Sequence, residues 1–258
     1  MTTREEIHRV AAGRSLGPGP VALAVDVGGT GMKAVLFDSA GRFVDAITAP
    51  TPECTDTAAG EVVDVVADFR ARFATAHPAH PIAEAAVVLP GIVDEATGTG
   101  VFSANLGWRD VPFAAILSER LGVPVTVSHD VRSAGRAEFA FAEAMPDNAA
   151  MVTIGTGIAA AIMVEGTLVS AGGFAGEVGF TEVTVDVADG VFRGPIEHIA
   201  SAASIARRYT ARSRRDVSGS LGVLEAMHDG DSIAAAVFAE AVDALGAMCT
   251  QLVAVVAP

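Results

Sequence analysis

The sequence contains a single lysine, Lys33, although it carries sixteen arginines. Acidic residues outnumber basic ones, and the formal net charge is -14. A protein that binds a nucleic-acid backbone needs clustered lysine and arginine to neutralise the phosphates. The one basic cluster, ARRYTARSRR (206–215), is more typical of a capped and solvated helix end. The composition therefore argues against a nucleic-acid partner.

Cysteine is also scarce, and Cys54 and Cys249 show no motif spacing, which indicates neither a disulfide framework nor a thiolate metal site. The N-terminal stretch lacks the apolar core of a signal peptide. The apolar run over 148–164 is centred on Gly-Thr-Gly, which favours a hairpin over a membrane span. Glu240 and Asp243 interrupt a second apolar run. We therefore expect a cytoplasmic protein with no membrane partner.

Short apolar runs separated by glycine turns fill the first half of the chain. VALAVDV (21–27), MKAVLFD and RFVDAITA predict three strands. A helix is predicted over 58–76, because four apolar residues recur there at helical spacing: Val62, Val65, Phe69 and Phe73. EAAVVLPG and VPVTVSHD predict strands on either side of a helix near 112–121. VRSAGRAEFAFAEA then predicts a helix that leaves this unit.

The second half begins with a similar pattern. AAMVTIGTG and IAAAIMVEG predict a strand, a turn and a strand, and TLVSAG predicts a third strand. Helices are predicted near 197–209, 219–228 and 231–255. For the last helix we predict one apolar face, formed by Ile233, Val237, Phe238, Val242, Leu245 and Leu252.

This repetition predicts two domains after a flexible leader over 1–20. The first lobe is expected over 21–130 and the second over 131–258. If the second half repeats the first, it lacks a strand, a helix and a strand. We therefore expect a second lobe that is incomplete at its C-terminal end, with an exposed apolar sheet edge.

The turn GGTG (28–31) is a candidate phosphate loop. A hairpin turn needs only one or two glycines with positive φ, and this turn offers more than that. The backbone N–H groups of Gly28 and Gly29 can approach an anion, Thr30 supplies a hydroxyl and Lys33 a positive charge. An ordinary hairpin with a solvated lysine explains this segment equally well.

A second glycine turn occupies the equivalent place in the other half, with Gly155, Thr156 and Gly157. Two such loops that face each other could grip one chain of phosphates from both sides, which explains why the pattern occurs twice. Asp26, at the end of the incoming first strand, could orient a hydrated Mg²⁺ ion beside a phosphate.

Seven motifs, in order, resemble the ROK family (repressors, open reading frames and kinases) of the actin-like superfold. They are DVGGTGMK (26–33), LPGIVD (89–94), SANLGW (103–108), PVTVSHD (124–130), IGTGIAAA (154–161), AGEVGF (175–180) and GPIEHIAS (194–201). The resemblance runs from about residue 21 to the end. It implies an α/β fold of two actin-like, ribonuclease H-like lobes around a cleft. It also implies ATP and Mg²⁺ as cofactors, a small-molecule sugar substrate, and a homodimer.

The resemblance places the catalytic base at Asp130, at the carboxyl end of a predicted strand. An aspartate before VRSAGRAE is equally suited to cap a helix. The family's sugar contacts match four positions, whose side chains taken singly also fit structural roles: Gly91, Asn105, Glu177 and Glu197. Trp108 could stack on a sugar, although core packing is the more common role of such a residue.

Two departures from the family pattern bear on the substrate. His129, which we also expect to bind the sugar, stands where the family has asparagine before the catalytic aspartate, and imidazole can replace the amide but is bulkier and can titrate. The histidine and three cysteines that bind a structural zinc in many members are all replaced, by Phe180, Ala188, Gly190 and Pro195. We therefore predict that the protein has no structural zinc.

These motifs predict an ATP-dependent kinase that phosphorylates the primary hydroxyl of a hexose or N-acetylhexosamine, with glucose as the first candidate. The alternative is a catalytically inactive sugar sensor or regulatory protein, which the altered pocket favours. A DNA-binding repressor is less expected, because only about twenty residues precede the first predicted strand, too few for a further domain.

Overall fold

The computed structural model describes residues 3–11, 15–54, 59–142 and 146–258. The chain divides into two units. The first comprises Met1–Ser133 and Ser170–Phe174, and the second comprises Ala134–Val169 and Ala175–Pro258. A short segment of the later chain thus belongs to the first unit.

The strands of the first unit form two sheets. They are β1 (Ala22–Val27), β2 (Gly31–Phe37), β3 (Phe43–Pro50), β4 (Glu84–Leu89), β5 (Ile92–Asp94), β6 (Thr99–Phe102), β7 (Arg109–Val111) and β8 (Val125–His129). The larger sheet has the order β3-β2-β1-β4-β8. β1 pairs with β2 in antiparallel fashion, whereas β1, β4 and β8 are parallel to one another. Their carboxyl ends therefore lie at one edge of this sheet.

Period-2 alternation explains the larger sheet. In β1, for example, Leu23, Val25 and Val27 are buried while the residues between them are not. The helices of the first unit are α1 (Arg4–Ala11), α2 (Gly60–Ala76) and α3 (Phe113–Leu121). A fourth, α4 (Asp130–Ala140), begins in the first unit and continues into the second. Phe69 and Phe73 of α2 are buried in the core with these strands. The helix predicted over 58–76 is present from Gly60, and residues 55–58 and 143–145 lie outside the described residues.

The expected flexible leader contains a helix, α1, none of whose residues is buried. Arg4 donates to the carboxylate of Asp45 at 2.6 Å, and His8 Nε2 lies 3.2 Å from the same oxygen. His77 Nε2 lies 2.9 Å from the other oxygen of Asp45. Polar contacts with a partner distant in sequence hold α1 against β3, which is why apolar periodicity does not reveal it.

The smaller sheet of the first unit, with the order β5-β6-β7, is absent from the sequence prediction. Its strands are three or four residues long: β5 lies in the motif LPGIVD, and β6 and β7 lie directly before and after SANLGW. Strands this short carry too few alternating positions to be recognised from period-2 patterning.

The second unit contains a mixed set of elements. Its strands are β9 (Ala149–Ile154), β10 (Ile158–Val164), β11 (Thr167–Leu168), β12 (Glu182–Val187) and β13 (Gly190–Pro195). Its further helices are α5 (Glu197–Ala200), α6 (Ala202–Ser213), α7 (Gly219–His228) and α8 (Ser232–Val256). One sheet has the order β11-β10-β9 and another consists of β12 and β13. The helix predicted over 197–209 is broken at Ser201, whose hydroxyl oxygen accepts a hydrogen bond from the Ser204 N–H and caps α6.

The buried face of α8 differs from the predicted one. Val237 is buried as expected, but Val242 is 62% exposed and Ile233 is also exposed. Phe238 and Leu245, also predicted, are partly buried against the core cluster of the second unit. Small residues fill much of the remaining interface, since Ala234, Ala241 and Ala244 lie in that cluster with residues of α5 and α6. Close packing of helices selects for small side chains, so large apolar residues marked the inner face only in part.

α8 is also long and apolar enough to cross a membrane by length and composition alone. Its inner face, however, lies in the core of the second unit, and Glu240 on that face forms ion pairs with Arg208 and Arg212 of α6. These are the contacts of a core helix in a folded unit.

Candidate active site

The loops that follow β1, β4 and β8 meet at one edge of the larger sheet. β1 is followed directly by the turn 28–30, β4 by Gly91 two residues after its end, and β8 by Asp130, the first residue of α4. Ligands of open α/β sheets bind outside the carboxyl ends of parallel strands. The topology thus brings the first predicted phosphate loop and the predicted base to the same edge, which the order of the motifs in the sequence could not establish.

The turn between β1 and β2 is closed by a hydrogen bond from the Gly28 N–H to the Gly31 carbonyl, at 3.1 Å. Its glycines do not adopt positive φ, so left-handed backbone is not the reason for them. A methyl group on Gly28 would lie 2.8 Å from the Gly31 carbonyl oxygen, whereas one on Gly29 would meet no described atom within 4 Å. Gly29 and the exposed Thr30 therefore border open space that an anion can approach.

The only lysine is held beside this turn by an ion pair. Asp26 and Lys33 face each other in the β1–β2 register, and Lys33 Nζ donates to Asp26 Oδ2 at 2.9 Å. Both side chains remain partly exposed, at 31% for Lys33 and 40% for Asp26. A positive charge and a carboxylate are thus presented together at the carboxyl end of β1.

The carboxylate of Asp26 is a hard oxygen donor of the type that Mg²⁺ prefers. Among the described residues no group of three histidine, cysteine, aspartate or glutamate side chains could enclose a metal ion. A single carboxylate such as that of Asp26 suits a Mg²⁺ ion that keeps most of its water.

Asp130 opens α4 directly after β8. Its Oδ1 accepts a hydrogen bond from the adjacent Val131 N–H at 2.7 Å, whereas the N–H of Arg132 is accepted by the His129 side chain. The side chain is still 36% exposed and can be reached by a substrate. Burial raises the pKa of Asp130, and the negative charge of Asp26 raises it further. A carboxylate with a raised pKa is a stronger base, which suits proton abstraction from a hydroxyl.

His129 lies buried immediately before Asp130. Burial lowers the pKa of His129 to about 4, with a further contribution from the positive charge of Arg132, so the ring is neutral near pH 7. Its Nδ1 accepts a hydrogen bond from the Arg132 N–H at 3.3 Å. The proton of the neutral ring is then on Nε2, which lies 3.3 Å from Asp130 Oδ1. The histidine that departs from the family pattern thus presents an N–H toward the predicted base.

Arg132, which was not predicted from the sequence, is hydrogen-bonded both to His129 of this pair and to Glu95. Its side chain is fully buried, and its Nε donates to Glu95 Oε1 at 2.7 Å. The guanidinium also donates to the carbonyls of Val93 and Gly173, at 2.8 and 3.2 Å. Glu95 in turn accepts from the His129 N–H at 3.2 Å. These partners are 37 to 41 residues away in sequence, and no local pattern indicates them.

The other predicted sugar contacts of the first unit lie in its smaller sheet and turns. Gly91 adopts φ +89, and a methyl group there would lie 2.3 Å from the Phe102 carbonyl oxygen, so only glycine fits. Asn105 is exposed within the turn 103–108. Trp108 is fully buried and packs edge-on against Phe113 with ring centroids 5.0 Å apart, so it is a core residue and not a stacking platform.

In the second unit the turn 155–157 is exposed and lies beside Glu197. The Gly155 N–H donates to the Gly157 carbonyl at 2.9 Å, so this turn is closed one residue more tightly than the first. A methyl group on Gly157 would lie 3.2 Å from Glu197 Oε2, and one on Gly179 would lie 3.0 Å from the same atom. Glu197 thus lies between the second predicted phosphate loop and Gly179. Glu177 lies two residues before Gly179 in the sequence, and both glutamates are partly buried.

The four positions that replace the zinc ligands lie at the two ends of the β12–β13 hairpin. Phe180 precedes the hairpin and is 64% exposed, and Pro195 ends it. Ala188 and Gly190 lie at its tip. This hairpin was not predicted from the sequence, although Asp189-Gly190 between two alternating runs is a recognised turn signal.

Comparison with known proteins identifies relatives of two functional kinds. The profile of the ROK family matches residues 22–258. A glucokinase of Halalkalibacterium halodurans is 31% identical over 193 residues, which cover 72% of this chain and 58% of that protein. A xylose repressor of Caldicellulosiruptor bescii is 31% identical over 117 residues, which cover 44% of this chain and 29% of the repressor. The chain thus spans little more than half the length of the glucokinase.

Among solved structures, a ROK family glucokinase from Streptomyces griseus, in complex with glucose and AMPPNP, superimposes with a TM-score of 0.73. It is 25% identical, and the match covers 92% of this chain and 80% of that one. The mixed α/β architecture predicted from the sequence, of the actin-like type, is confirmed by this match.

Proposed function

Because the chain belongs to the ROK family, we propose that it transfers the γ-phosphoryl group of ATP to the primary hydroxyl of a hexose or N-acetylhexosamine. Glucose is the first candidate, in line with the glucokinase relative. The reaction would take place in the cytoplasm, without a nucleic-acid or membrane partner, in a chain that forms homodimers.

One observation carries this proposal above the others. Asp130, a base with a raised pKa, lies at the same sheet edge as the 28–31 turn and the Asp26–Lys33 pair. Phosphoryl transfer to an alcohol needs a base at the hydroxyl and positively charged groups at the phosphates. Both requirements are met by side chains of the first unit.

In the proposed reaction Asp130 accepts the proton of the sugar hydroxyl while the oxygen of that hydroxyl attacks the γ-phosphorus in line. The bond from that phosphorus to the β–γ bridging oxygen breaks, and ADP leaves. A Mg²⁺ ion bound through water at Asp26 would neutralise charge on the triphosphate. Lys33 would exchange its carboxylate partner for a phosphate oxygen. His129 Nε2–H would orient the Asp130 carboxylate through the proton that the neutral ring carries.

The remaining predicted residues receive distinct roles in this proposal. The backbone N–H groups of the two turns would contact the phosphates, with Gly28, Gly29, Thr30, Gly155, Thr156 and Gly157 as their members. Sugar hydroxyls would be bound by Asn105, Glu177 and Glu197, with Gly91 giving close backbone approach.

The direct test is ADP release from Mg-ATP in the presence of glucose, mannose, fructose and the N-acetylhexosamines. We expect turnover with one sugar class, and a loss of roughly 10²- to 10⁴-fold in kcat for Asp130→Asn. Asp110→Asn, which changes the same charge at an exposed position, should leave kcat unchanged. Substitution of polyphosphate for ATP in the same assay identifies the phosphoryl donor.

A sugar sensor without catalysis is the second candidate, and one observation favours it. The relatives include a xylose repressor, and two positions near the predicted sugar contacts, His129 and Phe180, depart from the family pattern. Sugar-dependent thermal stabilisation without ADP release from the wild-type chain would support the sensor and contradict the kinase.

A further inference from the structure

The two glutamates to which the proposed function assigns sugar hydroxyls flank one hairpin. Glu177 lies five residues before β12, and Glu197 follows β13 by two residues. A two-stranded hairpin is only marginally stable by itself and must be held by other elements. The position of the hairpin therefore bears on both glutamates.

One face of the hairpin packs on the core of the second unit. Val183 is buried there, and Val185, Val187 and Phe192 are partly buried against the same cluster. The tip, formed by Ala188 and Asp189, has exposed side chains and no such apolar contact. Apolar packing thus holds the body of the hairpin and leaves the tip to be held in another way.

The tip is tied to the helices by Glu240. Its Oε1 accepts a hydrogen bond from the Ala188 N–H at 2.8 Å. The carboxylate is itself held by Arg212, whose Nη1 lies 2.9 Å from both oxygens, and by Arg208, which donates to Oε2. Arg212 also lies 3.6 Å from Asp189. α8 and α6 thus clamp the hairpin tip through one carboxylate.

Several features make Glu240 more than a surface ion pair. It is a buried charge on the apolar inner face of α8, where an alanine or leucine would pack without the cost of removing a carboxylate from water. The two arginines offset that cost, and their charges lower its pKa, so that the carboxylate stays ionised and strongly accepting. A hydrogen bond from a backbone N–H to such a carboxylate fixes the backbone itself.

We propose that Glu240, held by Arg208 and Arg212, is a positioning residue that anchors the β12–β13 hairpin and thereby sets Glu177 and Glu197 for sugar binding. The anchoring half of this inference rests on the structure alone, and the sugar half rests on the proposed function. Glu240 itself contacts no substrate.

Three variants separate anchoring from general stability. Glu240→Ala removes the acceptor, although it also leaves two arginines without their carboxylate and can lower stability. Ala188→Pro removes the N–H donor, at the cost of fixing φ at this position, and keeps all the charged side chains of the cluster. Asp243→Asn, at an exposed position on the same helix, matches the charge change of a lost carboxylate and serves as control.

Two measurements decide the inference. Hydrogen exchange of the Ala188 amide, followed by NMR, should be faster by at least about tenfold in Glu240→Ala and unchanged in Asp243→Asn. The KM for the sugar should rise on the order of tenfold in both Glu240→Ala and Ala188→Pro, the equivalent of one lost charge-assisted hydrogen bond, while the KM for ATP stays constant.

Unchanged exchange at Ala188 in Glu240→Ala would overturn the anchor. Faster exchange with an unaltered sugar KM in Ala188→Pro would overturn the positioning role and leave a purely structural contact. If the wild-type chain neither phosphorylates nor binds any of the sugars, the proposed function and the sugar half of the inference both fail. The exchange of Ala188 still decides the anchor in that case.

Discussion

At the scale of single residues, the surroundings of Asp130 have opposite effects on its pKa. As the first residue of α4 it accepts the Val131 N–H, which favours the ionised carboxylate. Burial and the nearby Asp26 disfavour ionisation and prevail, so the pKa is raised. A residue kept only as a cap would gain nothing from this environment, whereas a base would.

The raised pKa makes a prediction about stability. The folded state penalises the ionised form, so this penalty is present at neutral pH and disappears as pH falls and Asp130 becomes protonated. Asp130→Asn keeps an oxygen for the Val131 N–H and carries no charge. We expect its Tm to exceed that of the wild type by roughly 1–3 °C at pH 8, with a smaller difference at pH 5. Thermal melts at both pH values test this, and a lower Tm at pH 8 would indicate a mainly structural role.

His129 predicts a loss of stability in acid. Its pKa is lowered from 6.5 to about 4 in the folded protein, so the folded state resists protonation that the unfolded chain accepts. The stability that this provides is complete above pH 6.5 and is lost as pH falls through about 4, by roughly 3 kcal/mol in total. Urea unfolding at pH 7.5, 6, 5 and 4 measures it. Asparagine does not titrate, so His129→Asn should lack this loss of stability. If its stability fell with pH as that of the wild type does, His129 would not be the cause.

At the scale of elements, the two turns of the candidate site differ from ordinary hairpin turns in what their glycines face. Gly28 is required by the backbone, since a side chain would strike the Gly31 carbonyl. Gly29 and Gly155 are not, because a methyl group on either would meet no described atom within 4 Å and neither has positive φ. A phosphate ligand would give these two positions a need for glycine that the backbone does not.

This contrast can be tested directly by Gly29→Ala. The substitution fits the backbone and should leave Tm unchanged or slightly raised, because it reduces the freedom of the unfolded chain. If the turn receives phosphates, the added methyl group should raise the KM for ATP by at least about tenfold. Gly28→Ala should instead lower Tm, since its methyl group would lie 2.8 Å from a backbone oxygen. An unaltered KM in a fully stable Gly29→Ala protein would exclude the turn from the nucleotide site.

At the scale of the whole molecule, excess negative charge and an open sheet edge have opposite effects on self-association. The chain carries a net charge of -14, which opposes self-association. β9 forms an edge of its sheet, and within the described ranges no strand pairs with its outer side. Its sequence AAMVTI has no charge, and Ile154 at its end is 47% exposed. Such an edge is a template for pairing with another chain.

We therefore expect self-association that increases with salt, because salt screens the repulsion between acidic chains but not the pairing of strands. Sedimentation velocity at 50 mM and 500 mM NaCl would show a shift toward larger species at the higher concentration. Ile154→Lys places a charge at the edge and should reduce this shift. A dimer of constant mass in both salts, unaffected by Ile154→Lys, would contradict edge pairing and favour a specific interface.

The sequence alone determined the features that depend on near neighbours. Alternating apolar residues gave β1, β2, β3, β4 and β8, helical spacing gave α2, and the ordered glycine motifs identified the family and its fold. These predictions succeeded because period and turn chemistry are written in consecutive residues. They failed for β5 to β7, which are too short, and in part for α8, where Val237, Phe238 and Leu245 face the core but alanines fill much of the interface.

Only the tertiary structure decided which charges meet. Arg132 reaches Glu95 across 37 residues, Asp45 gathers Arg4, His8 and His77, and Glu240 holds Arg208 and Arg212. It also decided that Asp130, the 28–31 turn and Gly91 share one sheet edge, since strands distant in sequence become parallel neighbours there. Pairings of this kind depend on how distant segments pack, and a single sequence carries no local signal of that arrangement.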